Sequence, residues 1–216
     1  MSMIFDSLEK VHKDIIDILS KYTEVKEDHE FSWPNYVYKD KKFRRAHLDI
    51  VDARNTKNLY MLHLCVFPHT KDPAPIFGFD IIAGPRKVTG AFHDFSPVAT
   101  DHWLLDWFES NAKKFKASKE RELPDWAKAI FSGNMIAAGN VRSEEELNKI
   151  LKLIISNLEF YLNNIGEVSK TNFKMKQNFY CEKQKENPHT PKVMTSLGLD
   201  PEEVRLFIQE GLFPEI

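Results

Sequence analysis

The sequence has few cysteines and no long apolar run. Cys65 and Cys181 are the two thiols among 216 residues, and they match no metal-binding spacing. Both are expected to be small buried side chains in a reducing compartment. No apolar run approaches the ~20 residues of a membrane helix, and the first segment carries acids, unlike a signal peptide. A cytoplasmic protein that does not interact with a membrane is therefore expected.

The chain also lacks an excess of charge and the common nucleotide and hydrolase motifs. Lys and Arg number 30 against 32 Asp and Glu, so no positive field indicates a nucleic-acid partner. The sequence contains no G-x-G-x-x-G, no P-loop and no G-x-S-x-G, so a nucleotide site or a serine hydrolase has no support. Because no repeat or linker interrupts the chain, residues 1–216 are expected to form one domain.

The hydrophobic pattern changes twice along the chain. Residues 3–22 repeat apolar side chains at helical spacing, which predicts a helix with one buried face. Residues 31–95 contain short β-rich runs whose connections are too short for helical crossovers, so an antiparallel meander is predicted. These runs are Tyr36–Tyr38, Phe43–Val51, Tyr60–Phe67, Ile76–Ala83 and Val88–Phe95. After residue 100 the pattern is helical again, which predicts an α+β fold with a central antiparallel sheet covered on both faces.

The helical part contains several boundary signals. Ser143 followed by Glu146 predicts a capping box that opens a long amphipathic helix. A further helix is predicted over about Lys174–Lys185, until Pro188 and Pro191 break the pattern, and Asp200-Pro201 is expected to cap a last one. Three tryptophans are expected on the buried sides of short helices, namely Trp103, Trp107 and Trp126.

Polar side chains interrupt strands that should be buried. Asp80 lies in the middle of the apolar run PIFGFDIIAGP, where a carboxylate costs several kcal/mol unless it is paired or protonated. Other strands also carry polar residues on one parity: His47 with Asp49, His63, and Thr89 with His93. If neighbouring strands pair, these side chains can form one patch on one face of the sheet.

Three interpretations of this patch remain open from the residues alone. Each histidine taken singly fits a satisfied core or surface histidine. His47, Asp49 and His63 also resemble a two-His-one-carboxylate metal set, although no other spacing supports a metal. Carboxylic acids and imidazoles against apolar walls suit proton transfer near neutral pH, because burial raises the pKa of an acid.

A set of ordered motifs resembles the ferredoxin-dependent bilin reductases. The motifs read HLD at residues 47–49, LH at 62–63, PIFGFDIIAGP at 75–85 and DFSP at 94–97. The similarity continues through RELPDW at 121–126 and YCEKQKENPHTPKV at 180–193 to the C-terminus. The resemblance implies a three-layer α/β/α sandwich that holds biliverdin IXα between the sheet and the C-terminal helices. It also implies a monomer without bound metal or flavin, in which reduced [2Fe-2S] ferredoxin supplies single electrons and the bilin itself becomes the radical.

The resemblance assigns roles to individual residues. Asp80 matches the aspartate that protonates the tetrapyrrole, and His63 matches the histidine that hydrogen-bonds a lactam end of the bilin and relays protons. Asp49 is assigned as the third catalytic group. The substrate-binding positions implied are His47 behind His63, Thr89 where the family often has Ser, Arg121 for a propionate, the pocket-closing Asn187, and His189 in place of a Lys.

Asp49 departs from the pattern of the family members that form phycocyanobilin. Those members carry Glu at this position, the acid associated with reduction of the D-ring vinyl group. Because Asp is one methylene shorter, the expected product is phycoerythrobilin, formed by way of 15,16-dihydrobiliverdin. Phycocyanobilin is the alternative product.

Two other classes of function remain as alternatives: a non-catalytic bilin carrier or lyase, and a metal-dependent oxygenase. The partner implied is an acidic ferredoxin, for which two Lys-rich surfaces are candidates. They are KDKKFRR at residues 39–45 and the set Lys170, Lys174, Lys176, Lys183 and Lys185. A solvated face without a partner explains either surface equally well.

Overall fold

The structure is a computed structural model that describes residues 2–27 and 31–216. The strands are β1 (Thr23–Val25), β2 (Asn35–Lys39), β3 (Phe43–Ala53), β4 (Leu59–Pro68), β5 (Ile76–Gly84), β6 (Lys87–Ser96) and β7 (Ile136–Val141). The helices are α1 (Met3–Leu19), α2 (Arg54–Lys57), α3 (Trp103–Ala112), α4 (Asp125–Lys128), α5 (Glu144–Asn164), α6 (Lys174–Lys185), α7 (His189–Leu197) and α8 (Pro201–Leu206). A π-helix (Phe207–Leu212) continues directly from α8.

The strands form one seven-stranded sheet in sequence order, with every neighbouring pair antiparallel. The predicted meander over β2–β6 is confirmed. The sequence did not predict β1, which has three residues, or β7, whose sequence IAAGNV is poor in the β-branched and aromatic residues that favour strands. Pairing with β6 on one side and a bridge from Glu120 to Ala138 on the other hold β7 in the sheet.

One face of the sheet packs against α1, α3 and α5. The predicted stripe of α1 is buried there, from Ile4 to Leu19. Phe77, Phe79 and Ile81 of β5 point to the same side and are at most 1% exposed. This layer is the larger apolar core of the protein, and it uses one parity of each central strand.

The C-terminal helices cover part of the opposite face. Residues from α6, α7, α8 and the π-helix form a second apolar cluster there with the other parity of β3, β4 and β5. Cys65 and Cys181 are free thiols buried in this cluster, as predicted. Helices on both faces give the three-layer α/β/α sandwich that was expected. Within the described residues, no helix is both long and apolar enough to cross a membrane.

Some helical details differ from the sequence predictions. Trp103 is 45% exposed rather than buried, because α3 turns Leu104 and Phe108 into the core instead. The helix predicted over about Lys174–Lys185 is confirmed, since α6 ends at Lys185, before Pro188 and Pro191. The two prolines lie at the start of a separate helix, α7, where the first turn has no intrahelical acceptors for its N–H groups and tolerates proline.

The boundaries of two other helices also differ. The first helix ends at Leu19, three residues before the predicted end. Ser143 caps α5 as predicted, but only half of the capping box forms. The Glu146 carboxylate accepts hydrogen bonds from the backbone N–H and the hydroxyl of Ser118 instead.

Candidate functional site

Asp49, His63 and Asp80 form one row across the middle of the sheet. Asp49 is the cross-strand partner of His63, and His63 is the partner of Asp80, so all three side chains leave the same face. The His63 Nδ1 and Asp80 Oδ1 atoms are 4.0 Å apart, which is close but longer than a hydrogen bond. The structure therefore brings together the three residues that the sequence assigned as catalytic.

The sheet face around Asp80 is only half covered. Burial alternates along β5, with Gly78, Asp80 and Ile82 half-buried between fully buried neighbours. Phe92, the cross-strand partner of Asp80 on β6, and Ala137 on β7 are half-buried as well. We call these five residues the sheet cleft. The Asp80 side chain is half-buried, with 35% of its surface exposed.

Aromatic side chains form one border of the sheet cleft. Their rings make a continuous series of contacts, with centroids 5.7–6.4 Å apart, that runs from His63 through Phe213, Tyr180 and Phe131 to Trp126. A Cβ atom at Gly78 would lie 3.5 Å from the Tyr180 hydroxyl oxygen. A flat apolar space bordered by rings results, with a carboxyl group at its floor.

Burial reverses the usual order of pKa values in the row, so that the carboxyl groups have higher pKa values than the imidazoles. Desolvation raises the pKa of Asp80 to about 7. Desolvation also raises the pKa of Asp49 to about 7, against the opposing effect of its hydrogen bonds. Burial and the nearby Arg45 cation lower the pKa of His63 to about 4 and that of His47 well below its usual value. Near neutral pH the carboxyl groups are therefore partly protonated while the imidazoles are neutral.

Asp49 is held by two side chains that the sequence analysis missed. The Trp33 indole N–H and the Asn35 amide both donate to Asp49 Oδ1, the latter at 3.2 Å. The Asn35 Oδ1 atom accepts from His47 Nε2 at 3.0 Å, which places the imidazole proton on that nitrogen. Asn35 is the cross-strand partner of Asp49, a register that the sequence of β2 does not reveal.

Arg44 and Arg45 are not part of a solvated basic surface, contrary to one of the two predicted alternatives. Arg45 is 3% exposed; it donates to both carboxylate oxygens of Glu27 and to the Gly211 carbonyl in the π-helix. Arg44 donates to Gln177 and lies over the Phe67 ring. Two of the cations in KDKKFRR therefore join β3 to the C-terminal helices.

Arg121 lies at the β6–β7 side of the sheet cleft. Its side chain runs over two glycines that are cross-strand partners, because a Cβ atom at Gly139 would come within 2.7 Å of Arg121 Cγ. A Cβ atom at Gly90 would come within 3.0 Å of its guanidinium. The guanidinium carbon is 5.7 Å from the centroid of Phe92, so an exposed cation stands beside the cleft.

Three other predicted binding residues are not among the five that define the sheet cleft. Thr89 is exposed at the irregularity between β5 and β6, and its hydroxyl donates to the Ile82 carbonyl. Asn187 lies in the turn between α6 and α7, where its side chain accepts the backbone N–H of His189. His189 is exposed. Their contacts with a substrate remain predictions.

His93 does not belong to the polar patch, contrary to expectation. It pairs with Phe79 on the opposite parity and is buried among Phe77, Phe95 and Phe108. Its Nδ1 atom donates to the Gly78 carbonyl at 2.7 Å, and its Nε2 atom accepts from Asn157 at 2.9 Å. His93 is therefore a satisfied core histidine.

A protein metal site needs several His, Cys or carboxylate ligand atoms arranged around one point. Over residues 2–27 and 31–216, no group of three or more His, Cys, Asp and Glu side chains is arranged to hold a metal ion.

Comparison with known proteins identifies the family. The model of the ferredoxin-dependent bilin reductases matches residues 7–214. The chain belongs to this family. It is therefore an enzyme that uses ferredoxin as its electron donor.

Similar proteins cover most of the chain. It is 31% identical over 191 residues to a phycocyanobilin:ferredoxin oxidoreductase of Prochlorococcus marinus strain MIT 9313, a match over 84% of this chain and 70% of that protein. A phycocyanobilin:ferredoxin oxidoreductase of strain MIT 9515 is 29% identical over 90% of this chain and 82% of that protein. The solved structure of PcyX is 36% identical, with a TM-score of 0.70 over 97% of this chain and 99% of that chain. Tomato phytochromobilin synthase, solved with biliverdin, shares the fold with a TM-score of 0.71 at 12% identity over 95% of this bilin reductase and 82% of that chain.

The raised carboxyl pKa values predict how stability depends on pH. An acid whose pKa is higher in the folded state binds protons more strongly there, so the free energy of unfolding falls as pH rises from about 4 to about 7. Asp49→Asn removes a buried charge and keeps an oxygen for Trp33 and Asn35. At pH 8 this variant is expected to be more stable than wild type, by up to about 4 kcal/mol. Denaturant unfolding at several pH values measures the difference.

Asp94→Asn is the matched control. The Asp94 carboxylate accepts from the hydroxyl and backbone N–H of Ser132 and from the Ser96 hydroxyl, which together use both oxygens. Burial also raises the pKa of Asp94, to about 6, but an amide turns a donor towards these donors, so this variant should gain less stability at pH 8 than Asp49→Asn. Equal stability of Asp49→Asn and wild type at pH 8 would contradict the assignment of Asp49 as an acid whose charged form is destabilised by burial.

Proposed function

We propose that this bilin reductase catalyses the ferredoxin-dependent four-electron reduction of biliverdin IXα to phycoerythrobilin by way of 15,16-dihydrobiliverdin. The observation that carries the proposal is the row of Asp49, His63 and Asp80 on the floor of a half-open, aromatic-bordered sheet cleft. The presence of biliverdin in the structure of the tomato enzyme, which shares the fold, supports the choice of substrate.

The sheet cleft suits a large flat pigment. Ile82 and Phe92 supply apolar surface, and Gly78 adds no side chain of its own next to Asp80, where the Tyr180 hydroxyl lies. In this proposal Arg121 pairs a propionate, because a guanidinium matches the two oxygens of a carboxylate. His47 supports His63 from behind, while Thr89, Asn187 and His189 close the pocket around the substrate.

The protein supplies protons while ferredoxin supplies electrons one at a time. Saturating one double bond takes two electrons and two protons, so the full reaction consumes four of each. Asp80 donates to the pigment, since an acid with a pKa near 7 is protonated often enough to donate and basic enough to be reprotonated. His63, neutral and 4.0 Å from Asp80, relays protons and hydrogen-bonds a lactam end of the bilin.

Asp49 decides the product in this proposal. The carboxyl is one methylene shorter than Glu, and its Oδ1 atom is engaged by Trp33 and Asn35. The D-ring vinyl group therefore receives no proton and survives. Reduction takes place first at the C15–C16 bond and then at the A-ring diene. Phycocyanobilin is the alternative, favoured by the names of the Prochlorococcus relatives.

The direct test mixes purified protein with biliverdin IXα under anaerobic conditions and then adds reduced ferredoxin. Absorption spectra should progress through a dihydrobiliverdin, and chromatography against standard bilins should identify the product. Binding without any spectral progression would favour a carrier or lyase. Activity lost after the protein alone is incubated with a chelator would favour a metal enzyme.

Asp80→Asn should fold and bind biliverdin but lose most turnover, because the nearly isosteric amide cannot donate and regain a proton at a useful pKa. His63→Gln should slow the later steps and change the absorption band of the bound pigment. Single-turnover spectra after addition of reduced ferredoxin measure both effects. A wild-type rate in Asp80→Asn would exclude Asp80 as the proton donor.

The product prediction is that wild type forms phycoerythrobilin, which absorbs at shorter wavelength than phycocyanobilin because a saturated C15 interrupts conjugation. Asp49→Glu restores the missing methylene and should produce some phycocyanobilin. Chromatography of both reaction mixtures measures the ratio. Phycocyanobilin as the main wild-type product would show that the length of this side chain does not decide regiochemistry.

Ferredoxin docking is proposed at the start of α6. Lys170, Lys174 and Lys176 are exposed there, whereas Lys183 pairs with Glu186 and Lys185 with Glu215. If these lysines attract an acidic partner, turnover at sub-saturating ferredoxin should fall as salt rises, because exposed charges are screened over about 8 Å at physiological ionic strength.

Lys174→Glu should raise the KM for ferredoxin and weaken its salt dependence. Lys152→Glu is the control, since Lys152 is exposed on α5, which packs on the other face of the sheet. Equal effects of the two variants on the KM, or turnover that does not change with salt, would argue against docking at α6.

A further inference from the structure

The Asp49 carboxylate is oriented by donors from the β2 side of the sheet. The Trp33 indole and the Asn35 amide both reach Oδ1, and Asn35 is itself fixed by the proton that His47 Nε2 donates. One oxygen of the carboxyl is therefore tied to β2, on the side of β3 opposite to His63 and Asp80. The two donors also determine the site of protonation, because an oxygen that accepts two N–H bonds is not the one that carries a proton. A protonated Asp49 carries its hydrogen on Oδ2.

Trp33 is held rigidly in this position. Its ring packs edge-on against Phe207 of the π-helix at 5.3 Å and lies nearly parallel to Phe31 at 6.3 Å. Phe31 also contacts Phe207, at 4.8 Å. The indole N–H is thus oriented by packing against the C-terminal helices, and its donor direction is set before a substrate binds.

We propose that Trp33 and Asn35 are positioning residues that select the reduced double bond by fixing which oxygen of Asp49 is free and how far it reaches. This inference rests on the proposed function and deepens it. In a carboxyl without these donors, either oxygen can turn towards the cleft and reach farther from β2. The D-ring vinyl group then becomes accessible to a proton from Asp49, even without the longer Glu side chain.

The experiment compares Trp33→Phe with wild type. The phenyl ring keeps the apolar contacts of the indole but has no N–H to donate. Losing a hydrogen bond to the charged form should raise the pKa of Asp49 by about one unit. Infrared difference spectra of the carboxyl stretch, assigned by subtraction of Asp49→Asn and recorded against pH, measure this midpoint. Chromatography of the products should show a larger share of D-ring-reduced bilin than in wild type.

Other ionisable groups near Asp49 must be separated from it. They are Arg45 and His47 on its own strand, His63 on β4 and Asp80 on β5. In an Asp49→Asn background, Trp33→Phe should therefore change neither the carboxyl titration nor the product ratio. A change in that background would assign the effect to one of these neighbours and overturn the proposal.

Phe31→Leu is the packing control, since it disturbs the same aromatic contacts without touching a hydrogen bond to Asp49. The same change in the Asp49 midpoint in Phe31→Leu would mean that packing, not the indole N–H, determines the pKa of Asp49, and would overturn the proposal.

Asn35→Leu removes the second donor and keeps the test valid if Trp33→Phe does not fold. Wild-type midpoints and product ratios in both variants would refute the inference. If wild type instead forms mainly phycocyanobilin, the proposed product fails, while the Asp49 midpoint still decides whether Trp33 positions it.

Discussion

The desolvation of ionisable groups in a row on the sheet is the constraint on which the rest of this structure depends. Asp49, His63 and Asp80 are successive cross-strand partners, so placing one of them on this face brings the others beside it. Removing a carboxylate from water costs several kcal/mol unless it takes up a proton or finds partners. Here Asp49 has two donors, whereas Asp80 remains partly open to the cleft. In the proposed function, the pyrrole N–H groups of the substrate can donate hydrogen bonds to the Asp80 carboxylate.

The C-terminal helices complete this arrangement from outside the sheet. Arg45 on β3 donates to the Gly211 carbonyl in the π-helix, and the chain then places Phe213 edge-on against His63. The same π-helix supplies Phe207, against which Trp33 packs. π-helical turns often occur at functional sites, since the extra residue redirects side chains. In this protein the residue after the π-helix contacts the imidazole of the row, and the π-helix supports Trp33, which donates to the Asp49 carboxyl.

The sequence predicted much of the sheet and the core of the site. The apolar run of β5 predicted the strand and also identified Asp80 as a candidate site residue, because a carboxylate within a buried apolar strand is unusual. Hydrophobic periodicity could not predict β7, whose residues AAG are held by their neighbours in the sheet. Hydrophobic periodicity also could not show that His93 lies outside the polar patch. Alternation within one strand shows which residues share a face, but not which face of the sheet that is. The partners Trp33 and Asn35 depend on the register between β2 and β3, and register is a tertiary property.

In the proposed function, buried carboxyl groups with raised pKa values and neutral imidazoles are the catalytic groups that the protein adds to an electron-driven reduction. Each electron that reaches a bound pigment makes it more basic, so the reaction advances where a proton lies within reach and stalls elsewhere. In the proposed function, neutral imidazoles and half-protonated carboxyl groups supply protons at fixed positions on the sheet without placing a second positive charge in the cleft beside Arg121. Regiochemistry then becomes a question of geometry rather than of reduction potential. If the proposed function holds, a change as small as one methylene, or one indole N–H that holds a carboxyl, determines which bond is saturated.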